Sequence, residues 1–237
     1  MDYLIWGVCM ALYYRYGTMN SAKTANLLMQ VYADKADEKE VLLLKPDIDS
    51  RSGNNKIKSR ALVQEYEALM FSNKDNLYNL LCDVENQRKK DAVKEDSVYI
   101  PTVAIYIDEA QFLTFAQVRQ ISAYSRDHAV NIFCYGLKNT YVDGVLFEGA
   151  RALCYYADSM KEIESFCHFC NEKATMNALV RDGKHIYKSE SSSDGASDKK
   201  SAVIGDVKGA SSTYYIPVCK KHYYSLQKYL DSHNKEV

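Results

Sequence analysis

Gly17, Thr18, Met19, Asn20, Ser21, Ala22, Lys23 and Thr24 set a glycine, five residues, a lysine and a hydroxyl in the order of a phosphate-binding loop. Such a loop is an anion cradle. Backbone N–H groups at a helix start point at phosphate oxygens, the lysine adds a positive charge, and the hydroxyl offers an oxygen to magnesium. All eight residues are therefore candidate ATP contacts, with Thr24 a magnesium ligand. Ala22 departs from the pattern, because a second glycine usually stands there to let backbone approach phosphate. If the position requires a left-handed φ, the added Cβ costs about 1 kcal/mol, which would weaken nucleotide binding without abolishing it.

The second chemical cluster is Asp108-Glu109-Ala110-Gln111-Phe112, at the end of an apolar run over 103–107. Two carboxylates at a buried strand's carboxyl end lie where an α/β sheet opens its ligand crevice. Neighbouring strand residues face opposite ways, which suits a division of labour: Asp108 beside magnesium, Glu109 toward a second substrate as general base. Acids that merely complement a helix dipole are the plainer alternative.

The third cluster is Cys167-x₂-Cys170 with Cys219-x₂-His222, two half-sites roughly fifty residues apart. Three sulfurs and one nitrogen make a closed tetrahedral zinc shell with no position left for water, so a zinc here would be structural. His168, between the first two cysteines, competes for the fourth place; His222 is favoured because it completes the second pair.

These residues need elements to hold them. Short apolar runs at 11–16, 41–44, 103–107, 130–135 and 152–156 read as buried strands. Helical patterns start near Ala22, cover 62–70 and 77–86, and follow Phe112 and Ser159. The alternation predicts an α/β fold with a mostly parallel sheet. Residues 189–200 (SESSSDGASDKK) are too polar to offset the entropy of ordering and read as a flexible loop; a strand at 214–218 and an amphipathic helix at 220–234 follow.

Composition narrows the partners. At 237 residues, a core of 1–160 with an appended 161–237 is the expected division. Lysine plus arginine (30) balance aspartate plus glutamate (31), so no global field favours nucleic acid or a charged membrane. An odd count of seven cysteines argues against a secreted disulfide framework and for a reducing, cytoplasmic setting. Residues 1–9 are apolar but lack a basic region and a cleavage site, and Arg15 interrupts the stretch well short of a membrane span.

Taken in order, the phosphate loop, Asp-Glu-Ala-Gln-Phe and the Cys-x₂-Cys and Cys-x₂-His pairs resemble the type II thymidine kinases. Lys45-Pro46-Asp47-Ile48-Asp49-Ser50-Arg51, Cys134-Tyr135-Gly136-Leu137 and Lys173-Ala174-Thr175-Met176-Asn177 extend the likeness from about Tyr13 to Tyr223. The resemblance implies a RecA-like P-loop NTPase core, its parallel sheet covered by helices on both faces, and a small zinc-binding lasso domain. It implies Glu109 as the base toward the thymidine 5′-hydroxyl and Arg51 as a charge on the transferring phosphoryl group. Phe112 would stack on the base and Met19 would line its methyl pocket. Tyr141, where the family commonly has phenylalanine, would lie over the nucleoside, with Met176 a wall of the pocket. Val203, Ile204, Gly205, Asp206 and Tyr215 would belong to the lid. Without the resemblance, Phe112 and Tyr141 read as core aromatics, Met19 and Met176 as gap fillers, and Arg51 as a surface charge. It further implies Mg²⁺ with ATP, feedback inhibition by dTTP and a homotetramer. Met10 stands where a typical family chain begins, so a chain starting there is expected to keep full activity. Two other readings compete: a catalytically impaired nucleotide-binding regulatory or scaffold protein, motivated by Ala22, and a DNA-stimulated ATPase, disfavoured by the balanced charge.

Overall fold

The computed structural model describes residues 11–49, 55–188 and 213–233. Among them, six strands form one sheet in the order β5-β2-β6-β7-β1-β8: β1 Leu12–Gly17, β2 Val41–Pro46, β5 Leu69–Phe71, β6 Ala104–Ile107, β7 Asn131–Leu137 and β8 Ser159–Glu162. Every pairing in this sheet is parallel. Parallel sheets need cover on both faces, and side-chain alternation supplies two apolar surfaces. Leu12, Tyr14, Leu44, Ile105, Ile107, Ile132 and Cys134 face helices α2 (Leu77–Lys94), α3 (Phe115–His128) and α4 (Glu148–Tyr156). Leu43, Ala104, Tyr106 and Tyr135 face the other way, against Leu27, Leu28 and Val31 of α1 (Lys23–Ala36). An antiparallel hairpin, β3 (Lys56–Lys58) with β4 (Glu65–Glu67), packs Ile57 and Tyr66 onto this second face. The expected α/β core with helices on both faces is the fold found.

The second unit is a three-stranded antiparallel sheet, β10-β9-β11: β9 Met176–Arg181, β10 Lys184–Ile186 and β11 Thr213–Val218. Helix α5 (Lys220–His233) packs on it through Tyr223 and Leu226.

Three expected elements are corrected. The run 152–156, read as a strand, is the end of α4, where Gly149, Ala150, Ala152 and Leu153 are buried at helical spacing. The helix expected over 62–70 is instead the strands β4 and β5; β5 extends the parallel sheet beside β2 and buries Phe71, a tertiary pairing that overrides local helix preference. The helix expected after Ser159 is strand β8, paired along the outer edge of β1. No helix among the described residues is long and apolar enough to cross a membrane.

Candidate active site and metal centre

The carboxyl ends of β1 and β6 carry the first two clusters, with β7 between them. At the end of β1 the chain must pass close to its surroundings: a Cβ on Gly17 would stand 2.4 Å from Ser21 Oγ and 2.5 Å from the Ile163 carbonyl. Glycine is required there by contact distance rather than by φ. The loop then reverses into α1, whose N-cap is Ala22 at φ 59°, ψ 28°. Asn20 is also left-handed, at φ 60°. Asparagine tolerates that region, whereas alanine is strained by about 1 kcal/mol. The departure noted in the sequence therefore falls on a residue that needs the unusual φ.

Within the loop, Lys23 Nζ donates to the Thr18 carbonyl at 2.6 Å and to Ser21 Oγ at 3.4 Å. Thr24 Oγ1 donates to Asp108 at 3.0 Å, so the structure brings the two candidate magnesium ligands together. Both offer hard oxygen atoms, the donor type magnesium prefers. Asp108 ends the face of β6 that carries Ala104 and Tyr106, which aims it at α1. Burial first, and then the neighbouring Glu109 carboxylate, push Asp108 up to about 7, against hydrogen bonds from Thr24 and the Glu109 N–H.

Glu109 is left-handed, at φ 51°, and opens a single 3₁₀ turn over Ala110–Phe112. A strained non-glycine residue at a strand end persists only where its surroundings hold it. Gln111 does so: its Nε2 donates to Glu109 Oε2 at 2.5 Å, while its Oε1 accepts from Leu137 N at 2.9 Å. Gln111 is 2% exposed, and a Cβ on Gly136 would stand 2.7 Å from its Oε1, so Gly136 leaves room for the clamp. Gln111 was not among the sequence candidates, although it lies inside the motif that contains Glu109.

Of the aromatic and apolar candidates, Phe112 is half-buried and meets Phe147 edge-on at 6.0 Å. Tyr141 is buried, with its ring 6.3 Å from Tyr215, and its carbonyl accepts from Tyr223 Oη at 2.7 Å. Met176 Sδ lies 3.7 Å from Asn139 Nδ2. Met19 is joined to this region through its backbone, since its N–H donates to Asn177 Oδ1 at 2.8 Å. The structure thus links Met19 to the strand that begins with Met176, and links Tyr141 to Tyr215. Arg51, Val203, Ile204, Gly205, Asp206 and the stretch 189–200 lie outside the described residues.

The metal-type cluster is closed. The ligand atoms of Cys167, Cys170, Cys219 and His222 all lie within 4.8 Å of one another. His222 Nδ1 is 3.3 Å from Cys219 Sγ, 3.4 Å from Cys167 Sγ and 3.5 Å from Cys170 Sγ. A tetrahedron with Zn–S bonds of about 2.3 Å has S–S edges of roughly 3.8 Å, and Cys170 and Cys219 are 3.9 Å apart. The donor set and its spacing fit zinc. His168 is not in this group; its ring meets Phe169 edge-on and its backbone N–H donates to the Pro217 carbonyl. Burial opposes the Cys167 thiolate, yet backbone N–H groups of Cys219, Phe169 and Cys170 outweigh it and lower the thiol to about 7.

Comparison with known proteins adds the family. A family model described as "Thymidine kinase" matches residues 10–223. A thymidine kinase of Rhodopirellula baltica is 36% identical over 182 residues, covering 74% of this chain and 79% of that protein. Thymidine kinases of Streptococcus pyogenes and Enterococcus faecalis are each 29% identical across 90% of this chain, covering 97% and 94% of their own lengths.

Proposed function

The chain belongs to the thymidine kinase family, and on that premise we propose that it transfers the γ-phosphate of ATP to the 5′-hydroxyl of thymidine, yielding ADP and thymidine 5′-phosphate. The observation that carries the chemistry is the Thr24–Asp108 contact beside a Glu109 held by Gln111. In this reading the N–H groups of the Gly17–Thr24 loop and the Lys23 ammonium bind the phosphates, and Thr24 and Asp108 hold magnesium. Magnesium, when bound with ATP, neutralises charge on the β- and γ-oxygens. Glu109 accepts the proton of the 5′-hydroxyl as that oxygen bonds to the γ-phosphorus and the bond to the ADP oxygen breaks. Protonated Glu109 later returns its proton to solvent. Arg51 offsets charge on the transferring group.

Phe112, Met19, Tyr141, Met176 and Tyr215 form the nucleoside pocket in this account, with Val203, Ile204, Gly205 and Asp206 in its lid. The region 161–237 is then a zinc-held lid domain on the core 1–160, with Cys167, Cys170, Cys219 and His222 as ligands. A homotetramer, dTTP feedback and a cytoplasmic setting complete the proposal. The test is coupled ADP release with Mg-ATP and thymidine, deoxycytidine or no nucleoside. Thymidine-dependent release supports the kinase. Tight nucleotide binding without release would favour a regulatory protein disabled at Ala22.

A further inference from the structure

The phosphate loop contains a conformational cost that its own sequence does not relieve. Ala22 and Asn20 both occupy the left-handed region, and Ala22 does so where its Cβ disfavours it. A loop left to itself would exchange this shape for one with ordinary φ values. Something outside the loop has to hold it: Asp108 of β6 meets it at Thr24, and side chains from the smaller sheet and its approach meet it at Thr18 and Met19.

Asn177, the second residue of β9, is 3% exposed and uses both ends of its amide. Oδ1 accepts from Met19 N at 2.8 Å and Nδ2 donates to the Asn139 carbonyl at 3.1 Å. Asn139 is itself fixed, because its Nδ2 donates to the Thr175 carbonyl at 3.0 Å. The chain after β8 supplies a second tether, a 2.6 Å hydrogen bond between Ser165 Oγ and Thr18 Oγ1. Ser165 is anchored in turn, since its carbonyl accepts from Ala174 N at 2.8 Å. Thr18 and Met19 are thus gripped from one side, immediately before the two left-handed residues. Asn177 meets the loop at the Met19 backbone N–H, so its effect on the lysine is exerted through the loop backbone.

We infer that Asn177, with Ser165, is a positioning residue that holds the strained Ala22 loop in its phosphate-binding shape. The inference rests on the kinase reading of the loop, and it makes a claim that a merely structural asparagine would not. The value of the tether depends on the residue at position 22. With alanine there, losing the tether lets the loop relax away from the cradle. With glycine, the left-handed φ carries no Cβ penalty and the cradle persists without help. Removal of Asn177 and relief of Ala22 should therefore be strongly non-additive.

The experiment is a double-mutant cycle on the zinc-loaded protein, with a non-hydrolysable ATP analogue and Mg²⁺ titrated calorimetrically into wild type, N177A, A22G and the double variant. N177A is expected to weaken binding roughly three- to tenfold, the scale of one lost hydrogen bond. The cycle reads the N177A effect in each background, three- to tenfold in the wild-type loop and under about twofold in A22G, whatever A22G does alone. Equal weakening in both backgrounds, or no weakening by N177A, overturns the inference. Zinc content and thermal midpoint are measured alongside; if N177A loses metal or fails to fold, S165A with and without A22G decides by the same criterion. Wild-type protein that binds no analogue contradicts the kinase reading itself, and the tether with it.

Discussion

The sheet core and the zinc lobe position their functional atoms by different physics. In the core, Lys23, Thr24, Asp108 and Glu109 sit at the ends of elements whose other residues are packed between two large apolar surfaces. The lobe has a smaller cluster, centred on Ala178, Val180, Ile216, Val218, Tyr223 and Leu226, which includes the cysteines of a Cys3His set able to hold a metal. A large core can spread the cost of strain such as that at Glu109 over many contacts. A three-stranded sheet with one helix has little apolar surface to bury, the setting in which a metal held by these four residues would substitute for core size.

The sharpest way to break this contrast is to take the metal away. Structural zinc sites contribute on the order of 10 kcal/mol or more to their folded state. Chelation should therefore abolish hydrogen-exchange protection in β9, β11 and α5 while β1, β6 and β7 keep theirs. Equal loss in both regions would show that the lobe and core fold as one unit.

The next largest effect lies in the core. Replacing Glu109 by Gln should lower kcat by roughly 10²–10⁴-fold, with nucleotide affinity changed little, measured by steady-state kinetics beside analogue binding. Gln111→Ala removes the clamp rather than the base. Its expected cost is about tenfold in kcat, one hydrogen bond to a charged group, and Gln111→Glu should not rescue it because a second carboxylate would repel the first.

A further test is a pH dependence, and its sign follows from Asp108. The folded protein holds this proton up to about 7, because of burial and then Glu109, against an ordinary value of 3.8. Between those values the folded state binds a proton that the unfolded chain releases. The contribution is complete below the lower value and is lost as pH rises through the higher one. Without magnesium, the thermal midpoint of the wild type should therefore fall relative to Asp108→Asn between pH 5 and 8. A parallel pair of curves would remove Asp108 as the cause.

How much of this was legible in the sequence depended on how local the signal was. The phosphate loop and the carboxylate pair are contiguous, and their context of strand before and helix after is written beside them. The candidate metal ligands were legible as two pairs, with His222 favoured over His168 because it completes the second, and the fold gathers His222 with the three cysteines. Elements fixed by distant pairing were not legible. Strand β8 exists because β1 has an open edge, β5 because β2 has one, and short apolar runs such as 152–156 carry no decisive period. The supporting polar groups failed for the same reason. Gln111 is defined by Leu137 and Gly136, and Asn177 by Met19 and Asn139, partners far away in the chain.

Phosphoryl transfer to thymidine is read by following the label. Protein incubated with γ-labelled ATP, magnesium and thymidine should yield labelled thymidine 5′-phosphate in amounts equal to the ADP formed. Label recovered as inorganic phosphate, with no labelled nucleoside phosphate, would contradict the account.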